Sequence, residues 1–146
     1  MLVRKIVLNE KNLNVLNYLE QICFPETKNG STIIRNKKLA HWWIAYDNNN
    51  EPKAFGGAKI QKHNKGVYLC LSGVLPEARG QGIQKKLIQA RIKWARKQNV
   101  PAVHTYTAPF NLASSNNLIS CGFKLFEPNT KWGLKDSLYW VKYLNK

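Results

Sequence analysis

Apolar positions along the chain change period several times, and each change predicts an element. The stretch "LVRKIVL" alternates loosely and is rich in β-branched residues, which predicts a first strand. In "NLNVLNYLEQICF" Leu13, Leu16, Tyr18, Leu19 and Ile22 fall near helical spacing, and Pro25 closes the segment. Ser31 is placed to cap a short second helix running to about Leu39. "HWWIAYD" reads as a strand, "NNNEP" as a turn, and "KAFGGAKIQ" as the returning strand. Within that strand Gly56 and Gly57 mark a bulge or a close backbone contact. "GVYLCLSGVL" is almost continuously apolar, as expected of a central strand.

After Gly82 the period becomes helical. Ile83, Leu87, Trp94 and Ala95 share a stripe that Ile88 and Ile92 widen, while Lys85, Lys86, Lys93, Arg96 and Lys97 fall mostly outside it. This helix is expected to end near Asn99, ahead of Pro101. "AVHTYTA" follows as a strand, and "NLASSNNLISCGF" as a helix that begins at Asn111 and stops at Gly122. "FKLFEP" and "SLYWVKYL" are two last strands around the turn "NTKWGLKD". The predicted order is β-α-α-β-β-β-α-β-α-β-β, in a single domain spanning residues 1–146.

Composition narrows the class. At 146 residues and 44% hydrophobic content, the chain is long enough for one real core. No apolar run approaches the roughly 18 residues of a membrane span, and the charged N-terminus does not read as a secretory signal. Cys23, Cys70 and Cys121 stand far apart and form no metal-ligand pattern, which fits buried thiols in a reducing cytoplasm. His41 and His63 have no partner at metal-ligand spacing, so no metal is expected. The formal charge of +15 adds something new, because such a field attracts a phosphorylated ligand, an acidic partner or nucleic acid.

The candidate chemistry lies at the start of the basic helix. Arg79-Gly80-Gln81-Gly82 joins a strand end to a helix, and free amides beside glycines make an anion site suited to pyrophosphate. The spacing Arg79-x-x-Gly82, preceded by Val74-Leu75-Pro76, resembles the acetyl-CoA loop of the GCN5-related N-acetyltransferase superfamily. Asn111 and Ser114, followed by Gly122-Phe123, match a second motif of that family, one crossover helix further on. Gln84 departs from the pattern, since the family usually has Gly or Ala there.

The resemblance implies a mixed α/β (α+β) three-layer fold. Its mostly antiparallel sheet of about seven strands would be flanked by about four helices and splayed between the fourth and fifth strands. It implies acetyl-CoA as co-substrate, with Gly73 and Val74 pairing with the pantetheine arm. The backbone of Arg79, Gly80, Gln81, Gly82, Ile83 and Gln84 would take the pyrophosphate, Lys85 would add charge, and Asn111 would contact the cofactor, cap its helix, or both. Many members use a tyrosine as acid seven residues after the helix-opening Asn; here that position is Leu118. The fourth strand also lacks the carboxylate base that is frequent in the family. Tyr106 and Glu26 are the leading catalytic candidates, ahead of His104 and a relayed water. The loop after the first helix and the final hairpin, carrying Glu26, Glu127, Asp136 and Trp132, would receive the acceptor, a primary amine on a protein or a small molecule. Two competing readings are a nucleic-acid-associated basic protein and an inactive CoA-binding relative.

Overall fold

The computed structural model describes residues 1–25, 40–62 and 65–144. Its elements follow the predicted order: β1 (Leu2–Ile6), α1 (Glu10–Cys23), β2 (His41–Tyr46), β3 (Pro52–Gln61), β4 (Gly66–Val74), α2 (Ile83–Arg96), β5 (Ala102–Thr107), α3 (Leu112–Ser120), β6 (Lys124–Leu125) and β7 (Leu138–Tyr143). A 3₁₀ turn, Pro76–Ala78, links β4 to the glycine loop. The expected short helix between Ser31 and Leu39 lies outside the described residues. Among the described residues there are three α-helices, against about four expected.

The helix ends show how local chemistry sets boundaries. Asn9 caps α1 by accepting from the Asn12 amide at 2.8 Å, and Asn111 caps α3 by accepting from Ser114 at 3.1 Å. At the far end of α3 the Phe123 amide reaches Leu118 and the Gly122 amide reaches Ile119, each at 3.0 Å. Gly122 has φ +94°, so this is a Schellman stop that needs the glycine. Of the predicted final strands, "FKLFEP" pairs only over Lys124–Leu125. Beyond that the chain turns into the loop that carries Trp132.

Seven strands form one sheet in the order β1-β2-β3-β4-β5-β7-β6. Every neighbouring pair is antiparallel except β4–β5. Helix α1 covers one face, where Leu16 and Leu19 pack with Trp42, Ile44, Phe55 and Leu75. Helices α2 and α3 cover the other, where Leu87, Ile88 and Leu118 meet Trp43, Val67, Val103 and Trp140. That is the three-layer arrangement: each helix buries one apolar stripe and the sheet buries both faces.

The Gly56–Gly57 pair sits at the one irregularity between β3 and β4. Gly56 faces Ser72 and Gly57 faces Cys70, so Leu71 is an extra residue and β4 carries a bulge. A Cβ on Gly57 would lie 2.6 Å from the Trp42 ring and 2.8 Å from the Cys70 sulfur. Trp42 is only 1% exposed and has no room to withdraw. Gly57→Ala should therefore destabilise the fold by about 1–3 kcal/mol through overpacking, read as a lowered denaturant midpoint.

Candidate active site

The site exists because two parallel strands part. β4 and β5 pair only at Val67↔Val103 and Tyr68↔His104. From there the bulge at Leu71 turns β4 away and the two strand ends diverge. A cavity of about 430 Å³ opens between them, lined by Tyr68, Leu71, Thr105, Tyr106, Arg91 and Leu118 among others. A second, of about 640 Å³, lies along Gly73, Val74 and the loop of Arg79, Gly80 and Gly82. Both are lined by Ser72, Gln84, Asn111 and Ser114, so the two form one groove from the splay to the start of α2.

The glycine loop is built for close approach. Gly80 and Gly82 have φ +81° and +76°, and a Cβ on either would meet nothing within 4 Å. The glycines are thus required by backbone conformation, and the space beside them is open. Gly82 is the N-cap of α2, and no side chain caps the helix there. The first-turn amides of Ile83, Gln84 and Lys85 lack intrahelical acceptors by geometry, and they sit at the positive end of the helix dipole. Arg79 turns its side chain back, its Nε donating to the Val74 carbonyl at 3.0 Å, which ties the loop to the end of β4. Gln81 is exposed and Lys85 half-buried.

Gln84, the departure from the family pattern, spans the groove wall. Its Nε2 donates to Ser72 Oγ at 2.8 Å, and its Oε1 is buried without a partner. Gly73 has its own reason to be glycine: a Cβ would come within 2.9 Å of the Cys23 side chain and 3.1 Å of the Phe55 ring. Asn111 lines both cavities while capping α3, so capping does not remove it from the groove.

Beyond the splay the groove has an aromatic wall. Tyr106 stacks on Tyr68 with ring centroids 6.2 Å apart and planes 6° from parallel. Tyr139 flanks Tyr106, and Trp132 packs edge-on against both Tyr68 and Tyr139. The Tyr139 hydroxyl accepts from the Gly133 amide at 3.0 Å, which pins the final loop over the strands. Burial, with Tyr106 beside it, pushes the Tyr68 phenol well above the usual tyrosine range, so it stays protonated. His104 alternates onto the Tyr106 face of β5, but its Nε2 lies 2.9 Å from the Lys65 carbonyl and its ring packs on Phe126. Glu26 and His63 lie outside the described residues. Leu118 lines the cavity at 4% exposure.

Several lining residues were not singled out from sequence. Thr105 Oγ1 donates to the Leu69 carbonyl at 3.0 Å, meeting a strand acceptor where β5 turns away. Tyr68 had one visible signal, a hydroxyl inside an apolar strand. Arg91 had a stronger one: it stands four residues after Leu87 and four before Ala95, inside the apolar stripe of α2, and it is 1% exposed. The three cysteines are half-buried rather than fully buried, and burial raises each thiol pKa, which keeps them protonated and unreactive. Among the described residues, no cluster of His, Cys, Asp or Glu is suited to hold a metal ion, and no helix is long and apolar enough to cross a membrane.

The same architecture occurs in known acetyltransferases. An aminoglycoside 6'-acetyltransferase of type Ii superposes with TM-score 0.80 at 19% identity, covering 100% of this chain and 99% of that one. The ribosomal-protein-S18-alanine N-acetyltransferase from Escherichia coli gives 0.79 at 16% identity, over 99% and 96% of the two chains. A GNAT-family acetyltransferase from Staphylococcus aureus gives 0.76 at 16% identity, over 99% and 100%. No curated protein sequence matches the chain significantly. Residues 13–123, which hold the glycine loop and the Asn111 motif, match the sequence profile of the acetyltransferase (GNAT) family. The chain therefore belongs to that family of acetyl-CoA-using enzymes.

Proposed function

We propose that the protein transfers the acetyl group of acetyl-CoA to a primary amine, on a protein or a small molecule, by direct attack in a ternary complex. One observation carries this reading: two cavities that share Ser72, Gln84, Asn111 and Ser114 lead from the uncapped amides of α2 to the gap between β4 and β5. Acetyl-CoA is a substrate here, and its parts fit that groove in order. The pyrophosphate lies at the backbone of Arg79 to Gln84, where amides and helix dipole favour an anion. Lys85 adds a positive charge from the first turn. The pantetheine arm runs along Gly73 and Val74, using strand groups that β5 does not reach. Asn111 closes the opposite lip.

The acetyl group then lies at the bulge, within the aromatic wall. The Leu71 amide, out of register in the ladder, serves as donor to the carbonyl oxygen as negative charge develops there. Tyr106 is the candidate to relay the proton between amine and departing thiolate, because it reaches the cavity from β5. Tyr68, held protonated, is not a base but supports the Tyr106 hydroxyl. Glu26, which follows α1 in the sequence, is a second candidate base. Leu118 excludes water and carries no proton. Trp132 offers an aromatic surface to a cationic amine; in the same loop Glu127 and Asp136 are balanced by Lys131 and Lys135, and Glu127 pairs with Lys131 at 3.7 Å. The whole chain acts as one domain, and its unpaired, protonated thiols suit a reducing cytoplasm.

A second reading concerns the partner. Between Glu77 and Glu127 the sequence contains no carboxylate but eight Lys and Arg residues: Arg79, Lys85, Lys86, Arg91, Lys93, Arg96, Lys97 and Lys124. Of these, Lys86, Lys93, Arg96 and Lys97 are exposed along α2 and at its C-terminal end while Arg91 is buried, so the outer surface of that helix carries a single sign of charge. That favours an acceptor presented on an acidic or nucleic-acid partner.

Gly82→Val should weaken acetyl-CoA binding at least about tenfold by calorimetry, because valine resists φ +76° and fills the open space. Unchanged affinity in the folded variant would refute the loop assignment. Tyr106→Phe should leave acetyl-CoA affinity intact and slow amine acetylation by about 10²-fold, whereas Leu118→Tyr should not be needed for turnover. The wild-type rate should rise with pH until the acceptor amine is itself neutral, since no ionised side chain on β4 is present to take its proton. For the second reading, affinity for a DNA or RNA duplex should fall steeply with salt, and the triple variant Lys86→Glu, Lys93→Glu, Lys97→Glu should abolish it while acetyl-CoA still binds.

A further inference from the structure

Arg91 is the largest charged group inside the protein, and nothing in the proposed reaction has used it. It projects from the third turn of α2 into the layer between helix and sheet and is 1% exposed. Its Nε donates to the Leu87 carbonyl at 3.1 Å. Its Nη1 donates to the Gly57 carbonyl at 2.9 Å and, more loosely, to the Cys70 carbonyl at 3.5 Å. None of these acceptors is a carboxylate. Burial lowers its pKa to about 10, which still leaves it cationic at neutral pH. A buried cation held by carbonyl dipoles alone is costly, and an apolar residue at the same place in the stripe would pack without that cost.

The position of the two carbonyls gives the reason. Gly57 and Cys70 face each other at the register break, directly before the extra residue Leu71. The guanidinium is thus clamped onto the bulge from the helix side. Room for it comes from Gly56, where a Cβ would stand 2.9 Å from Arg91 Cζ. The Cys70 carbonyl and the Leu71 N–H belong to one peptide unit. No peptide bond in the chain is cis, so these two groups point in opposite directions. With the carbonyl turned to β3 and Arg91, the N–H is turned to the side of β5, into the splay. Alternation agrees: the preceding carbonyl, of Leu69, points to β5 and accepts from Thr105. A cation on the carbonyl also polarises the peptide and makes its N–H a stronger donor.

We propose that Arg91 is a positioning residue for catalysis: its guanidinium fixes and polarises the Cys70–Leu71 peptide, so that the Leu71 N–H is pre-aimed at the acetyl carbonyl oxygen. This rests on the acetyl-transfer reading above. It adds that an uncompensated buried charge is kept for the moment when negative charge appears on that oxygen, which is when it lowers the barrier. Arg91 acts through the bulge and needs no contact with the substrate.

The test needs no knowledge of the acceptor. Acetyl-CoA labelled with ¹³C at the carbonyl is bound to the full chain, and the carbonyl resonance is compared with that of the free thioester. Wild type should show a downfield shift, the signature of a polarised carbonyl. Arg91→Met should bind acetyl-CoA within about threefold of wild type yet lose the shift, and Arg91→Lys, which keeps the charge without the fork, should recover part of it. If Arg91→Met fails to fold, Gly56→Ala is the second probe, since it displaces the guanidinium while leaving it charged, and it should reduce the shift in the same way. A full downfield shift in folded Arg91→Met or Gly56→Ala overturns the proposal. So does a wild-type complex with no shift, and that outcome leaves acetyl-CoA binding intact. Failure of wild type to bind acetyl-CoA at all would overturn the acetyl-transfer reading, and this inference with it.

Discussion

The structure depends on an interrupted strand pairing. β4 and β5 hydrogen-bond over two residue pairs and then separate. Parallel strands that part inside a protein leave backbone donors and acceptors without ladder partners, and buried groups of that kind must be met in some other way. Side chains meet part of the demand here: Thr105 reaches the Leu69 carbonyl and Arg79 the Val74 carbonyl. What they leave along Leu71 to Val74 is an extended edge, well matched to an amide-bearing chain such as pantetheine. The core supports this gap on both sides, with α1 packed behind β4 and α2 and α3 bracketing the opening.

Electrostatics reinforces the same geometry. The open end of the groove is an uncapped helix start with two left-handed glycines, and its surroundings carry no carboxylate from Ala78 to Phe126. The far end is different. Tyr68, Tyr106, Tyr139 and Trp132 form an aromatic enclosure, and the loop above it balances Glu127 and Asp136 with Lys131 and Lys135. The groove thus has one end suited to an anion and another that is aromatic without an excess of positive charge. In the proposed reaction acetyl-CoA takes the first and the amine the second.

Gln84 shows how a departure from a family pattern can be absorbed. A side chain there sits at the crowded start of α2, yet its amide is drawn sideways to Ser72 and becomes part of the groove wall. Its unpartnered Oε1 is buried at the junction of the two cavities, where an amide N–H would satisfy it. Leu118 is absorbed in another way. It joins the main apolar core and lines the cavity with a side chain that carries no proton.

How much the sequence reveals depends on the range of the interaction. Helix starts and stops were legible because capping is local: Asn111 and Gly122 act within a few residues of themselves. The order of elements along the chain and the glycine loop were legible for the same reason, since alternation, helical period and glycine spacing are short-range signals. The Gly56–Gly57 pair announced an irregularity, but its partner, the extra residue Leu71, is set by pairing across two strands. Arg91 was visible as a charge inside an apolar stripe, yet its purpose requires the carbonyls of Gly57 and Cys70, brought together only by the sheet. The short pairing of β6, the stacking of Tyr68 on Tyr106 and the packing of Trp132 against Tyr68 and Tyr139 are contacts between distant segments. Local chemistry in the sequence thus determined the elements and the glycine loop, while tertiary packing decided which backbone groups were left unpaired along the groove.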